Sequence, residues 1–314
     1  MPEPPQKKPD PLGSLLVIGS AVGFGLMALF RGWAVAGGSE NATLLTIRFT
    51  AAGLILGVAM LLRGTAAPRG RLLACLLAMG AVGYFGEAFC YFEALGRLPS
   101  GLVAALLYLY PALVAVLARI FLKERLTPLK LGTMAAAVFG AVLTVGPLDG
   151  LGPSNHGAAV GVAFGLGCAA CYAGYIVAGS RVTRDADPVA CSTVVCLSCA
   201  AVMLGVALAR GWTPPRSALG WAGIAGLTLF STVGSVMMFL AGLKRVGPVR
   251  ASTFSTLEAV TTLLVGRFAL GERLSAWQWA GAAIILLAAA AAARAGADPG
   301  AGQHPLTKSS EKKS

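Results

Sequence analysis

Three ionisable side chains stand inside long apolar runs: Arg48, Glu87 and Glu258. Charged groups in such surroundings are costly, so they face a cavity or a partner. Tyr84, Glu87 and Tyr91 are spaced i, i+3, i+7 and line one face of a helix. A stripe of carboxyl and aromatic rings suits a molecule that is part polar and part flat, and it equally suits hydrogen bonding between helices. Glu258 could exchange protons, bind substrate, or pair with Arg48. Arg48 could snorkel to the outer surface, pair with a carboxyl, or hold an anion. Pro111 removes one backbone hydrogen bond from its helix and could serve as a hinge or shape a site. Tyr108 lies one turn before it, beside Tyr110. Around Glu258, Ser252, Ser255, Thr256 and Thr262 lend unusual polarity, either as cavity lining or as helix contacts.

Other chemistries find little support. The two histidines, His156 and His304, fall in a connection and a tail, and no nucleophile adjoins a base. No metal pair and no Gly-x-x-x-x-Gly-Lys-[Ser/Thr] phosphate loop occurs, so neither an enzyme, a metal nor a cofactor is expected. The seven cysteines all lie in apolar runs. Cys168-x-x-Cys171 is a lone pair without nearby histidine, and the cysteines read as small packing residues.

The elements that must position these groups follow from composition. Apolar residues make up 56% of the 314 and charged residues 12%, about half the usual charged fraction of a soluble domain. Mean hydropathy is +0.75. A chain this long could not cover its surface with so few charges, and disorder needs the opposite composition. The class that remains is an all-α integral membrane protein. A hydrocarbon core about 30 Å thick takes roughly 20 residues of helix. Ten stretches qualify: 12–32, 42–62, 72–94, 99–121, 128–147, 157–179, 189–209, 219–242, 249–270 and 276–293. The run from Leu12 to Phe30 is longer than a signal-peptide core, so it is expected to stay as a span. The Pro-rich start (1–11) and the end (294–314) read as disordered tails.

The formal charge of +12 comes from 25 Lys and Arg against 13 Asp and Glu. The basic residues sit in short clusters between apolar runs, which reads as topology rather than nucleic-acid binding. With the N-terminus inside, 18 fall on that side and 6 on the other, Arg48 completing the 25. Both termini are therefore expected in the cytoplasm. Gly19-x-x-x-Gly23, Gly53-x-x-x-Gly57 and Gly161-x-x-x-Gly165 permit close helix approach, within the chain or between two copies, so monomer and homodimer both stand. Trp33, Trp212, Trp221, Trp277 and Trp279 lie near span ends, where interfacial aromatics belong.

The chain also matches itself. ALGRLPSGLVAALLYLYPALVAVLARIFLKERL (94–126) lies over GLKRVGPVRASTFSTLEAVTTLLVGRFALGERL (242–274) at an offset of 148, with Leu95/Leu243, Arg97/Arg245, Arg119/Arg267 and Glu124-Arg125-Leu126/Glu272-Arg273-Leu274 coinciding. Upstream the match is weaker and needs small indels; the repeat places Thr232, Ser235 and Phe239 against Tyr84, Glu87 and Tyr91, and within the aligned stretch Glu258 against Tyr110. Two units result, 12–147 and 157–293. Five spans is an odd number, so the second unit must enter from the opposite side. The charges agree: Lys123, Arg125 and Lys130 follow the fourth span, while the equivalent turn holds Glu272 and Arg273. Inverted repeats are a signature of secondary transporters, with the substrate site near the midplane.

LLYLYPALVAVLARIFLKERLTPLKLG (106–132) and STLEAVTTLLVGRFALGERLSAWQWAG (255–281) resemble the EamA family of the drug/metabolite transporter superfamily, whose repeats end in a Pro-containing helix, a Leu-x-Glu-Arg-Leu turn and a Gly-bearing helix. Asn41–Phe49, with Arg48, resembles the family's second helix. Ala259 departs from the pattern where the family often has Pro, so the second unit is expected to lack the bend of the first. The resemblance implies ten transmembrane helices as two inverted five-helix repeats, and transport of small metabolites. The expectation is an alternating-access exporter of a small molecule in a bacterial plasma membrane, with proton coupling as an option. An amino-acid exporter and an uncoupled pore or exchanger are the alternatives.

Overall fold

The computed structural model describes residues 10–95, 97–98, 100–124, 126–145, 156–182, 186–269, 271 and 273–294. The expected disordered tails lie outside these residues apart from positions 10, 11 and 294, as do Arg125 and Glu272 of the paired turns. Among the described residues all regular structure is helical: α1 (Pro11–Gly25), α2 (Met27–Ala36), α3 (Asn41–Leu62), α4 (Gly70–Ala78), α5 (Phe85–Leu95), α6 (Ser100–Leu107), α7 (Tyr110–Phe121), α8 (Pro128–Val145), α9 (His156–Val182), α10 (Pro188–Arg210), α11 (Ala218–Thr228), α12 (Ser235–Val246), α13 (Pro248–Ser255), α14 (Leu257–Ala269) and α15 (Ala276–Arg294). Wide π turns at Met79–Tyr84 and Leu229–Gly234 join α4 to α5 and α11 to α12. Eight stretches are long and apolar enough to cross a membrane, and Pro128–Thr144 is a shorter apolar helix.

The helix starts are set by side chains that satisfy orphan N–H groups. Asp10 accepts from Gly13 N–H at 2.9 Å, with Pro11 as the first helical residue. The first helix thus begins at Pro11, inside the segment expected to be a tail. Glu40 accepts from Ala42 and Thr43 (2.7 and 3.3 Å), and Asp187 from Val189 and Ala190 (2.9 and 3.1 Å). Leu62, Leu208, Phe268 and Leu287 stand exposed on the outside, as lipid contact requires.

Between lipid-bathed helices there is little hydrophobic drive, so close packing of small residues has to hold them together. Counterpart helices of the two halves pack side by side and antiparallel. Along α3 and α10, Gly53 meets Leu197 and Gly57 meets Thr193, while Thr43 Oγ1 accepts from Thr213 N–H at 3.1 Å. Along α8 and α15, Gly140 meets Gly281, and Gln278 Nε2 donates to the Thr144 carbonyl at 3.2 Å. A Cβ on Gly281 would lie 2.6 Å from the Gly140 carbonyl oxygen, so glycine is required at this crossing. The first helix of each half crosses the third of the other: Gly13 meets Arg245 and Gly23 meets Ser235, while Gly86 meets Cys171 and Gly161 meets Leu98. All three Gly-x-x-x-Gly pairs are therefore used inside the chain.

The breaks in the helices require two corrections. α6 ends at Leu107 and α7 begins at Tyr110, with Pro111 in its first turn. The second half breaks as well, between Ser255 and Leu257, although Ala259 replaces proline. Here hydroxyls take the place of the ring. Ser252 and Thr253 donate to the Val249 carbonyl (2.8 and 2.9 Å) and Thr256 to the Thr253 carbonyl at 2.7 Å. Such back-bonding bends helices. The second correction concerns register. The π turns place Met79 over Leu229, an offset of 150, so Glu87 corresponds to Met237 and not to Ser235. The cause is the next connection, which runs over 96–99 in the first half and is Gly247 alone in the second.

Candidate functional site

All six tyrosines of the chain converge where these breaks meet. Tyr84 comes from the end of the first π turn, Tyr91 from α5, Tyr108 and Tyr110 from the α6–α7 break, and Tyr172 and Tyr175 from α9. Four of them form a chain of rings: Tyr110–Tyr172 at 4.6 Å between centroids, Tyr172–Tyr175 at 6.4 Å, and Tyr175–Tyr84 at 5.5 Å. Phe49 extends it from Tyr84 at 5.1 Å and Phe239 from Tyr175 at 6.4 Å.

Glu258 sits at the start of α14, immediately past the second break. Tyr91, Tyr108, Tyr110 and Tyr172 all lie within electrostatic reach of it. So do Glu87 and Arg48. Its carboxyl has no hydrogen-bond partner among the described residues. Glu87, on α5, has only the Cys168 thiol, at 4.0 Å. Both carboxyls, with Tyr91, Tyr108 and Tyr172, are half-buried. Carboxylates left unsatisfied in a protein interior are expensive unless something else visits them.

Arg48 behaves otherwise. It is 2% exposed, which rules out snorkelling. Its Nε donates to Thr232 Oγ1, one Nη donates to the Ser231 carbonyl at 3.1 Å, and the other contacts Met27 Sδ at 3.4 Å. Phe49 packs its ring 4.9 Å from the guanidinium carbon. Thr232 passes the bond on, donating to the Leu227 carbonyl at 2.8 Å. Among the described residues no carboxylate forms an ion pair with Arg48, so pairing with Glu258, one of the alternatives open from the sequence, is not formed. The wide turn supplies the reason: a π turn frees carbonyls, and the cation of α3 satisfies them.

Ser235, too, serves the π turn. Its hydroxyl donates to the Phe230 carbonyl at 2.8 Å and it is fully buried. Thr256 is fully buried and bonded to its own helix. Tyr110, 2% exposed, donates to the Ser252 carbonyl at 3.3 Å and so links the two breaks. Tyr84 and Pro111 are buried in the packing. Of the ten candidates, Glu87, Tyr91, Tyr108 and Glu258 keep some exposure, while Arg48, Tyr84, Tyr110, Pro111, Ser235 and Thr256 are buried.

A cavity of about 290 Å³ opens at one end, lined by Arg31, Glu40, Asn41, Phe85, Phe89, Glu93 and Arg210 among others. Glu93 pairs with Arg97 on its own side (2.7 Å) and with Arg210 of the other half (2.9 Å). Arg31 donates to Asn41 Oδ1 at 3.2 and 3.1 Å. Tyr91 stands within electrostatic reach of both Arg31, which lines this cavity, and Glu258. Sequence reasoning missed these mouth residues, together with Tyr172 and Tyr175. The tyrosines had a signal: all six in the chain fall within spans, and Tyr172 and Tyr175 share a face at i, i+3. The mouth residues had none, because they come from four separate helices.

The EamA-like transporter family matches this chain twice, over residues 11–146 and 159–294. An uncharacterized transporter of Bacillus subtilis (strain 168), YyaM, is 26% identical over 214 residues, covering 67% of this chain and 69% of its own. Another from the same organism, YwfM, is 32% identical over 127 residues, covering 40% of this chain and 42% of its own. A crystal structure of a protein superposes with a TM-score of 0.80 at 22% identity, over 89% of this chain and 97% of that one. That last likeness concerns the fold alone.

Proposed function

The chain belongs to the EamA-like transporter family and is a multi-pass membrane transporter, and from that premise we propose that it carries a small metabolite by alternating access through the tyrosine-lined interior. The observation that carries the reading is the pair of carboxyls, Glu87 and Glu258, that lack a charged partner among the described residues and stand among tyrosines, one contributed by each half. We read the chain as ten spans. α6 and α7 count as one broken span, α13 and α14 as another, and Pro128–Thr144 as a short one. The two five-span units, 12–147 and 157–293 in outline, are inverted. The antiparallel packing of α3 on α10 and of α8 on α15 supports this, as does the positive-inside charge bias. Both termini then lie in the cytoplasm of a bacterial cell. The paired breaks give each half a flexible joint beside the site, which is what rocking between two access states needs.

The test is labelling from each face of the membrane. Tyr108→Cys in a background lacking the seven native cysteines is exposed to an impermeant maleimide in right-side-out and inside-out vesicles. Labelling from both faces, with the vesicles still tight to a dye of similar size, is the expected result. Labelling from one face only, or leakage of the dye, refutes alternating access.

A further inference from the structure

We propose that this interior takes an organic cation: a molecule carrying one positive charge beside a flat ring. The inference rests on the alternating-access reading above and names the substrate class for that same site. It is argued from the sign of charge left uncompensated. Glu87 and Glu258 are two half-buried carboxyls set among the tyrosines, and neither has a charged partner within ion-pair distance among the described residues. The one cation nearby, Arg48, is turned away. Its guanidinium is sealed against Thr232, the Ser231 carbonyl, Met27 and Phe49, at 2% exposure. An arriving anion would find no exposed donor of positive charge here and two carboxylates against it. A zwitterion would have its ammonium satisfied and its carboxylate stranded.

The rings complete the argument. Tyr91, Tyr108 and Tyr172 are half-buried beside Glu258, and Tyr172 heads the run of rings through Tyr175 to Tyr84. Aromatic faces attract a cation electrostatically, most of all where water is excluded. They also stack on a flat substrate. Two carboxyls alone would suit a metal ion, but no group of three or more metal-ligating side chains occurs among the described residues. Carboxyl and tyrosine together suit an aromatic or alkyl ammonium.

Three probes on a shared phenylethyl frame decide the matter: phenethylamine, 3-phenylpropionate and phenylalanine, which present a cation, an anion and a zwitterion. Thermal unfolding of the purified full-length protein in detergent is followed with each, since a ligand of the folded form raises the midpoint. Phenethylamine should stabilise, 3-phenylpropionate should not, and phenylalanine should fall between. Glu258→Gln should weaken phenethylamine on the order of 30-fold, the loss expected when one partner of a desolvated charge pair is removed. Because no described residue hydrogen-bonds to this carboxyl, the substitution orphans no neighbour, and the unliganded midpoint checks folding. Tyr108→Phe should keep binding and Tyr108→Leu should lose it. Stabilisation by 3-phenylpropionate equal to that by phenethylamine overturns the proposal. So does an affinity unchanged in both Glu258→Gln and Glu87→Gln, or no shift with any probe. The two readings fail separately. Binding of the anion or zwitterion alone leaves the site and removes the substrate class. Glu258-dependent binding of the cation with one-sided labelling of Tyr108→Cys leaves the class and removes alternating access.

Discussion

At the level of single side chains, the same charge can be substrate machinery or framework, and its partners decide which. Arg48 and Glu258 look alike in sequence, each a lone charge in an apolar run. In the fold Arg48 is a strut between the halves: a cation of α3 that closes the π turn before α12. Arg48→Lys should therefore destabilise by about 1.5–3 kcal/mol, the range for hydrogen bonds to a charged group, because an ammonium cannot reproduce the fork. Thr232→Val should cost less, about 1 kcal/mol, since the Ser231 carbonyl keeps its donor. Both are read by unfolding in detergent, and an Arg48→Lys protein as stable as the parent would contradict the strut role. Glu258→Gln, by contrast, should leave stability nearly unchanged and affect ligand binding.

Among helices, ends and crossings carry the specific information. Asp10 caps α1, and its carboxyl is held below the usual range chiefly by the Gly13 N–H, with help from Arg245 at 3.3 Å. A depressed carboxylate contributes its stability above the unfolded value, about 3.9, and loses it as pH falls through the folded one. Amide exchange at Gly13 and Ser14 should thus accelerate, relative to mid-helix amides, only below about pH 4. Asp10→Asn keeps an N-cap but removes the titration, so its exchange ratio should stay flat. An unaltered pH profile in that variant would assign the effect elsewhere. The α8–α15 crossing is stricter. Gly281→Ala would place a Cβ 2.6 Å from the Gly140 carbonyl oxygen and 2.8 Å from Thr144 N. Backbone cannot step aside as a side chain can, so a loss of about 1–3 kcal/mol is expected. Gly132→Ala on α8, where a Cβ meets nothing within 4 Å, should be neutral or slightly stabilising. Equal midpoints for the two variants would sink the argument.

For the molecule as a whole, inversion makes a prediction about sidedness. The connection around residue 66 and the short turn at Gly247 should face the same compartment, the cytoplasm, since basic residues flank both. Single cysteines at positions 66 and 247 in a background lacking native cysteines should label together with an impermeant reagent in inside-out vesicles and remain unlabelled in right-side-out ones. Labelling on opposite faces would remove the two-unit picture, and the shared interior site with it. At the other end, the Glu93–Arg210 pair joins the halves across the mouth of the 290 Å³ cavity. It is exposed enough to contribute little stability.

Composition, run length and charge asymmetry were legible without coordinates, because they answer to the bilayer: its thickness sets how long an apolar helix must be, and its fields sort lysine and arginine to one side. Self-similarity pointed to two units, and the family model matches the chain twice, over 11–146 and 159–294. What stayed hidden depended on how helices lie against one another. Nothing local marks a π turn, so the equivalence of Glu87 with Ser235 slipped by two residues. No proline announces the second break, which comes from the hydroxyls of Ser252, Thr253 and Thr256. Whether Arg48 met Glu258 or the Ser231 carbonyl was a question of which surfaces touch across more than 180 residues of chain. Partner choice at that separation is a property of packing in three dimensions, and one-dimensional periodicity carries no record of it.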